Sequence, residues 1–377
     1  MSRIDELIQQ LCPDGVEYKP LGDIVNILDS QRKPISKEKR IPGKIPYYGA
    51  NGIQGYVKDF IFDGIFLLIG EDGSVINKDG SPVLNWAEGK IWVNNHAHIL
   101  TEKKDIASLR FIFFFLQTYD VTPVVRGTPP KMTQQSLREI MIPVPPLPVQ
   151  EEIVRILGKF TALEAELEAE LEARRKQYEF YRDQLLTFGD EVEWKPLGGE
   201  QGIAELGTGS HNTIDAIENG NYRFYVRSDN ILHMNTYDYD EEAIITSGDG
   251  VGVGKIIHYV NGKYALHQRA YRIRLKSSDS LSTKFIFYYM KVHFQKYILG
   301  SAVNSSVTSI RRHMLERFQI PVPPRPEQER IVAILDKFDA LVNDISSGLP
   351  AELEMRRKQY EYYRDRLLTF KPLAKEA

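Results

Sequence analysis

The strongest constraint on this chain is that it contains itself twice. IPVPPLPVQEEIVRILGKFTAL, beginning at Ile142, returns as IPVPPRPEQERIVAILDKFDAL at Ile320, and RRKQYEFYRDQLLTF at Arg174 returns as RRKQYEYYRDRLLTF at Arg356. The duplication reaches further upstream, because VEYKPLG at Val16 matches VEWKPLG at Val192. Each unit reads as a short opening motif, a domain of roughly 120 residues, a Pro-rich stop and a rod.

The rod follows from periodicity. In the first copy Ile153, Leu157, Phe160, Leu163, Leu167, Leu171, Tyr178, Tyr181 and Leu185 recur in steps of three, four and seven. That spacing draws one narrow apolar seam along a helix, which in water needs a second helix to cover it. The second copy is the obvious cover. From Glu151 onward, roughly 36 helical residues would span about 54 Å, the dimensions of a spacer rather than of an ordinary globular helix. Residues 163–174 of this rod read LEAE-LEAE-LEAR, a four-residue repeat. The second rod carries DISSGLPAELEMR and is four residues longer, and Gly348 with Pro350 predicts a break there.

Composition limits the remaining choices. A 377-residue chain with 42% hydrophobic residues can bury two or three ordinary cores. The single cysteine, Cys12, excludes a disulfide framework or a cysteine-based zinc site and fits a reducing compartment. No apolar run is long enough to span a bilayer, and the opening MSRIDELIQQL is amphipathic and charged, so the chain is expected in the cytoplasm with no membrane partner. Net charge is -3, yet residues 20–141 hold 15 Lys+Arg against 13 Asp+Glu, residues 196–319 hold 14 against 12, and residues 147–195 hold 7 against 12. Slightly basic domains on an acidic rod allow local DNA contact but predict weak binding by the chain alone.

Ser2–Leu11 reads as a short helix with Ser2 as N-cap and Asp5 and Glu6 in its first turn. CPDGVEYKPLGDI reads as a turn into a strand. IPYYGANGIQGYVKDFIFDGIFLLIGEDGSVI alternates β-branched and aromatic runs with Gly, Asn and Asp, the pattern of strands joined by tight turns, and KIWVNNHAHIL reads as another strand. RFIFFFLQ at Arg110 is too apolar for a surface and returns as KFIFYYMK at Lys284, so both read as core helices whose aromatics pack rather than stack on bases. The fold class is mixed α/β (α+β), with two diverged domains on a repeated scaffold.

Two variable domains, each followed by a repeated helix entered through IPVPP and bearing RRKQYExYRDxLLTF, closely resemble the DNA-specificity subunit of type I restriction-modification systems. YYGANGIQGY and LLIGEDG, within residues 47–73, belong to the same resemblance, which covers essentially the whole chain. It implies an N-terminal helix and strand over 1–19, target recognition domains over 20–146 and 190–323, and conserved spacer helices over 147–189 and 324–377. It further implies helices paired as an antiparallel coiled coil with pseudo-two-fold symmetry. Each recognition domain would read one half of a split site in double-stranded DNA, while the helices fix the gap and bind two methyltransferase subunits, through which restriction subunits join. The family subunit has no catalytic centre, so no cofactor is expected on this chain; S-adenosylmethionine, Mg and ATP would sit on its partners.

Base edges are read by Arg, Lys, Asn and Gln forks presented on loops. The first domain offers Tyr47, Tyr48, Asn51, Gln54 and Lys58, and a loop ahead of IPVPP with Arg126, Thr128, Lys131, Thr133, Gln134 and Gln135. The second offers Arg223, Arg227, Ser228, Asn230, His267, Gln268 and Arg269, and a matching loop with Asn304, Ser305, Ser306, Thr308, Ser309, Arg311 and Arg312. For partner docking the rod tails offer Arg174, Arg175, Tyr178, Tyr181 and Arg182, with Arg356, Arg357, Tyr360, Tyr363 and Arg364; the tyrosines are equally suited to pairing the rods.

Other chemistries fit the residues less well. SGDGVGVGK at 247–255 places Asp249 where a phosphate loop needs its first glycine and Ile256 where it needs Ser or Thr. His96 and His98 lack an apparent third metal ligand. Asp79, Glu88 and Lys90 imitate the acidic pair and lysine of a metal-dependent nuclease, but the second domain has no counterpart. A structural coiled-coil adaptor would leave two large diverged domains without a purpose.

Overall fold

The computed structural model describes residues 2–250, 252–300, 309–344 and 346–373. The chain divides into two compact units, one holding Met1–Glu168 with Leu353–Ala377 and the other Ala169–Glu352. Each unit therefore combines the body of one copy with the rod tail of the other.

The first unit opens with α1 (Arg3–Leu11), whose N-terminus is a capping box: the Ser2 hydroxyl accepts from the Asp5 amide and the Asp5 carboxylate accepts from the Ser2 amide. There follow β1 (Glu17–Pro20), α2 (Leu21–Ile24), β2 (Val25–Ile27), β3 (Pro42–Gly49), β4 (Gly52–Val57), β5 (Phe62–Gly70), β6 (Leu84–Val93), β7 (Ala97–Glu102), α3 (Leu109–Leu116), α4 (Gln134–Arg138), β8 (Met141–Val144) and α5 (Leu147–Leu185), which from Ala169 onward belongs to the second unit. Six strands make one sheet in the order β2-β7-β5-β6-β3-β4, antiparallel except where β3 lies beside β6.

The second unit repeats this plan with β9 (Glu193–Pro196), β10 (Ala204–Thr208), β11 (Tyr222–Tyr225), β12 (Leu232–Met234), β13 (Tyr239–Ser247), β14 (Ile257–Leu266), β15 (Ala270–Leu275), α6 (Thr283–Gly300), α7 (Arg312–Arg317), β16 (Gln319–Val322), α8 (Arg325–Asn343) and the start of α9 (Leu349–Leu368), which from Leu353 onward belongs to the first unit. Its sheet runs β10-β15-β13-β14-β11-β12, and its single parallel pair, β11 with β14, holds the same place. The order matches strand for strand.

Alternation builds the cores. On β5, Leu67 and Ile69 join one core with Ile112 and Leu116 of α3, while Phe66 and Leu68 join another with Ile91 and Ile99. Helix α3 has no polar face because it is covered on two sides: Ile112 and Leu116 meet the sheet, and Phe111 and Phe114 pack with Ile153 and Leu157 of α5.

Two sequence expectations need correction. IPVPP is more than a stop, because its first residues are β8 and β16, which pair antiparallel with the opening motifs so that Pro143 faces Tyr18 and Pro321 faces Trp194. Both strands of a two-stranded ribbon are edges, where a proline without an N–H is tolerated. KIWVNNHAHIL is not one strand but the end of β6, a turn over residues 94–96, and the start of β7.

The rods pair within each unit. In the first, Phe160 stacks on Tyr363 with ring centroids 5.4 Å apart, and Arg357 binds Glu164 at 2.6 Å and Glu168 at 2.5 Å. Rising numbers on α5 meet falling numbers on α9, so this pairing is antiparallel. In the second unit the matching phenylalanine, Phe338 of α8, packs on Tyr178 and Tyr181 at 6.1 and 6.0 Å. Ile153, Leu157, Leu171 and Tyr178 are buried along the seam, but Leu163 is 45% exposed. The break predicted in the second rod lies between α8 and α9, where the Gly348 amide donates to the Asp344 carbonyl.

Candidate nucleic-acid interface

At the end of β5 the first unit gathers a buried polar cluster that sequence reasoning missed. The Asp29 carboxylate accepts from the Ile99 amide at 3.0 Å and from Gln134 Nε2 at 2.9 Å, and meets His98 Nδ1 at 2.6 Å. His98 is fully buried and its Nε2 lies 2.9 Å from the Met132 carbonyl, an acceptor. Arg32 reaches Glu71 at 2.5 Å and the Ala97 carbonyl at 2.8 Å, and Lys131 lies 3.4 Å from Glu71. Burial pushes the Asp29 carboxyl up, but the His98, Ile99 and Gln134 contacts outweigh it and hold the group below its ordinary value. Asp29, Glu71 and His98 offer ligand atoms within 4.8 Å of one another, and Arg32 already supplies the positive charge between the carboxylates. The only signal in the sequence was the polar pair Asp29 and Arg32 after a β-branched run, which spacing alone could not join to His98.

The other candidates of this unit divide by exposure. Tyr47 and Tyr48 are buried, and the Tyr47 hydroxyl is tied to the backbone of Ile35, so these rings support the β3–β4 hairpin and present no face to a base. Asn51, Gln54 and Lys58 are exposed on that hairpin and strand. Arg126 and Thr128 are exposed on the loop that Arg126 and Lys131 close by a β-bridge. Thr133 caps α4 by accepting from the Ser136 amide at 3.1 Å, and Gln135 binds Glu139. Gln134 thus serves the Asp29 cluster.

In the second unit Arg227 and Arg269 converge on one acid, contacting Asp249 at 3.1 and 3.0 Å. His267 is buried and accepts from the Arg269 amide at 3.0 Å, while Gln268 is exposed and binds Asn212. Arg223, Ser228 and Asn230 are exposed, with the Ser228 hydroxyl 3.4 Å from the Asn230 carbonyl. Ser309 bridges to Asp249 just as Lys131 bridges to Asp72, so these two residues hold equivalent places. Arg311 stands at the N-cap position of α7 without a side-chain capping bond, and Arg312 binds Glu316 at 3.0 Å. Asn304, Ser305, Ser306 and Thr308 lie outside the described residues.

On the rods, burial turns Tyr178 and Tyr360 inward and pushes each phenol up to about 12. Tyr360 donates to Gln117 at 2.9 Å, Tyr363 stacks on Phe160, and Arg357 is committed to Glu164 and Glu168. Arg182 and Arg364 bind the neighbouring Asp183 and Asp365. Arg174 contacts Gln177 at 3.0 Å, Arg175 and Tyr181 are exposed, and Arg356 lies on the exposed face of α9. The rod aromatics that look outward furthest are Phe180, 64% exposed, and its counterpart Tyr362, 61% exposed. Both stood in the repeated motif but fell off the seam.

Among the described residues the rival chemistries find no assembled site. Asp79 accepts from the Ser81 amide and hydroxyl in a turn, Glu88 accepts from the Trp86 indole, and Lys90 lies over the Phe60 ring. In the glycine-rich segment Asp249 holds two arginines, and residues 252–255 form a turn. Two equivalent sheets with charged, exposed strand ends carry the candidate interface.

The family model for the type I restriction modification DNA specificity domain matches residues 13–173 and again 201–355. The chain belongs to that family. A type I restriction enzyme specificity subunit of Escherichia coli is 35% identical over 98% of this chain and 98% of its own length. A Haemophilus influenzae Rd protein, provisionally named as such a subunit, is 35% identical over 94% of this chain and 96% of its own. The solved S subunit of a type I restriction-modification system from M. genitalium has the same fold, with a TM-score of 0.66 at 16% identity over 94% of this chain and 96% of that one. The protein is therefore a type I DNA-specificity subunit, and the nuclease and adaptor readings fall away. No helix among its described residues is long and apolar enough to cross a membrane.

Proposed function

We propose that each sheet unit of this specificity subunit reads one half of a split site in double-stranded DNA, while the rods set the gap and dock two methyltransferase subunits. Restriction subunits join through that complex. The observation that carries the reading is a repeated scaffold with diverged strand ends: one strand order serves twice, yet His96 and Lys131 at the first end stand where Arg269 and Ser309 stand at the second. Selection for one continuous palindromic site would keep the ends alike.

The chemistry of modification and cutting then lies with partners. S-adenosylmethionine, Mg and ATP belong on those subunits, and this chain supplies address alone, in the cytoplasm. Its net charge of -3 leaves little phosphate attraction, so the methyltransferase contributes most of the sequence-independent affinity. Phe180 and Tyr362, with Arg174 and Arg175, are the docking residues that exposure favours.

The test is selection of duplexes from a random library by the purified complex of this chain with its methyltransferase. The expected product is two short conserved blocks separated by a fixed unselected gap. A single continuous block, or no enrichment, would reject the proposal.

A further inference from the structure

The two units can be aligned by strand register alone. Gly70 faces Ala97 where β5 meets β7, and Ser247 faces Ala270 where β13 meets β15. Two residues beyond the first strand of each pair stand Asp72 and Asp249, and one residue before the second stand His96 and Arg269. The positions are equivalent, and so are their contacts. Asp72 binds His96 Nδ1, and Asp249 binds Arg269 at 3.0 Å together with Arg227 at 3.1 Å.

The turn beneath the donor is also built the same way with different residues. In the first unit the buried Asn94 accepts from the His96 amide at 2.8 Å; in the second the buried His267 accepts from the Arg269 amide at 3.0 Å. Each turn thus fixes the backbone of one outward residue, and the acid across from it fixes the side chain. The acids are sheltered, Asp72 27% and Asp249 21% exposed, while the donors look outward, His96 48%, Arg269 61% and Arg227 43% exposed. A sheltered acid opposite an exposed donor orients that donor without consuming it.

We propose, resting on the reading of each unit as a half-site reader, that Asp72 and Asp249 are positioning residues and that the donors they hold determine which bases each unit accepts. A guanidinium has five donor N–H groups, and the Asp249 contact uses one nitrogen of each arginine. Arg227 and Arg269 therefore keep free edges to bond guanine O6 and N7 as forks. His96, with Nδ1 on Asp72, has only Nε2 to offer and makes a single bond. The second half-site is accordingly guanine-dependent at the positions these arginines read, and the first unit lacks that fork.

The test maps the methylated motif in cells that co-express this chain with its methyltransferase, for the native chain and for Asp249→Asn, Asp72→Asn and His96→Arg. Thermal melts of each purified complex establish that the variants fold. Asp249→Asn should cut the guanine preference in the second half-site roughly ten- to hundredfold, the value of a bidentate base contact, and leave the first half and the gap unchanged. His96→Arg, placed opposite Asp72, should add a guanine to the first half alone. Folded variants whose two halves both match the native motif, or both weaken equally, would overturn the proposal. Should Asp249→Asn unfold, His96→Arg decides by itself. A native chain with no split motif would instead reject the half-site reading on which the proposal stands.

Discussion

Asp29→Ala should destabilise the first unit severely. The carboxylate is 8% exposed and serves His98, the Ile99 amide and Gln134, so alanine leaves a fully buried imidazole and a strand amide without their acceptor. Breaking a buried pair by removing one partner costs about 3–5 kcal/mol, and an orphaned buried amide about 1–3. A central value of about 4 kcal/mol corresponds to roughly 8–16 °C for a unit of this size. Calorimetry would measure the shift, with hydrogen exchange at Ile99 assigning the transition to this unit. Asn in place of Asp keeps the shape and one acceptor, so it should cost about half as much. The folded Asp29 carboxyl titrates below its unfolded value, so its stabilisation is complete above the ordinary carboxylate range and disappears as pH falls through the folded value. The Asn variant should lose that acid-side slope. An Ala variant melting within about 2 °C of the native chain would show that the cluster contributes no net stability.

Gln328→Leu should cost about 2–3 kcal/mol in urea unfolding, because the buried amide accepts from Ser282 at the start of α6 and donates to Ser280 and Pro323; an unchanged midpoint would refute the role. Arg357→Ala should cost under about 1 kcal/mol, and less still at high salt, since its side chain and those of Glu164 and Glu168 are 46%, 26% and 52% exposed; a salt-independent loss would point to packing instead. Phe180→Ala combined with Tyr362→Ala should weaken methyltransferase association at least about tenfold in titration calorimetry while the melting temperature stays put, and equal affinity would remove these rings from the docking surface.

What the sequence disclosed and what it hid differ in range. The repeat, the rod, the capped first helix and the apolar α3 and α6 were legible because each depends on neighbours within a few turns. The break at Gly348 was legible for the same reason: a Cβ there would lie 2.3 Å from the Ala340 carbonyl. Strand order was not, since β3 pairs with β6 across a gap filled by two other strands. Nor was the role of IPVPP, whose prolines suggested a stop while its partner, the opening motif, lay more than 120 residues away. Interface candidates chosen by residue type were correct about exposure for Asn51, Lys58, Arg227 and Arg269, and misled at Tyr47, Tyr48 and His267, which the fold turns inward. The acids that hold those donors were invisible because register, not spacing, brings Asp72 to His96 and Asp249 to Arg269.

The measurement that bears most directly on two reading heads joined by a helical spacer is the methylated motif after deletion of residues 163–166. Arg357 would then meet Glu168 and Glu172 in place of Glu164 and Glu168, so the repeat preserves the rod contact. Four residues shorten the helix by about 6 Å and turn it about 40° past a full turn. One base pair spans about 3.4 Å and turns about 35°. The account predicts that genome-wide mapping of modified adenines will find both half-sites unchanged and the gap shorter by one or two base pairs. Unchanged halves with an unchanged gap would contradict the spacer, and altered halves would contradict the independence of the two heads.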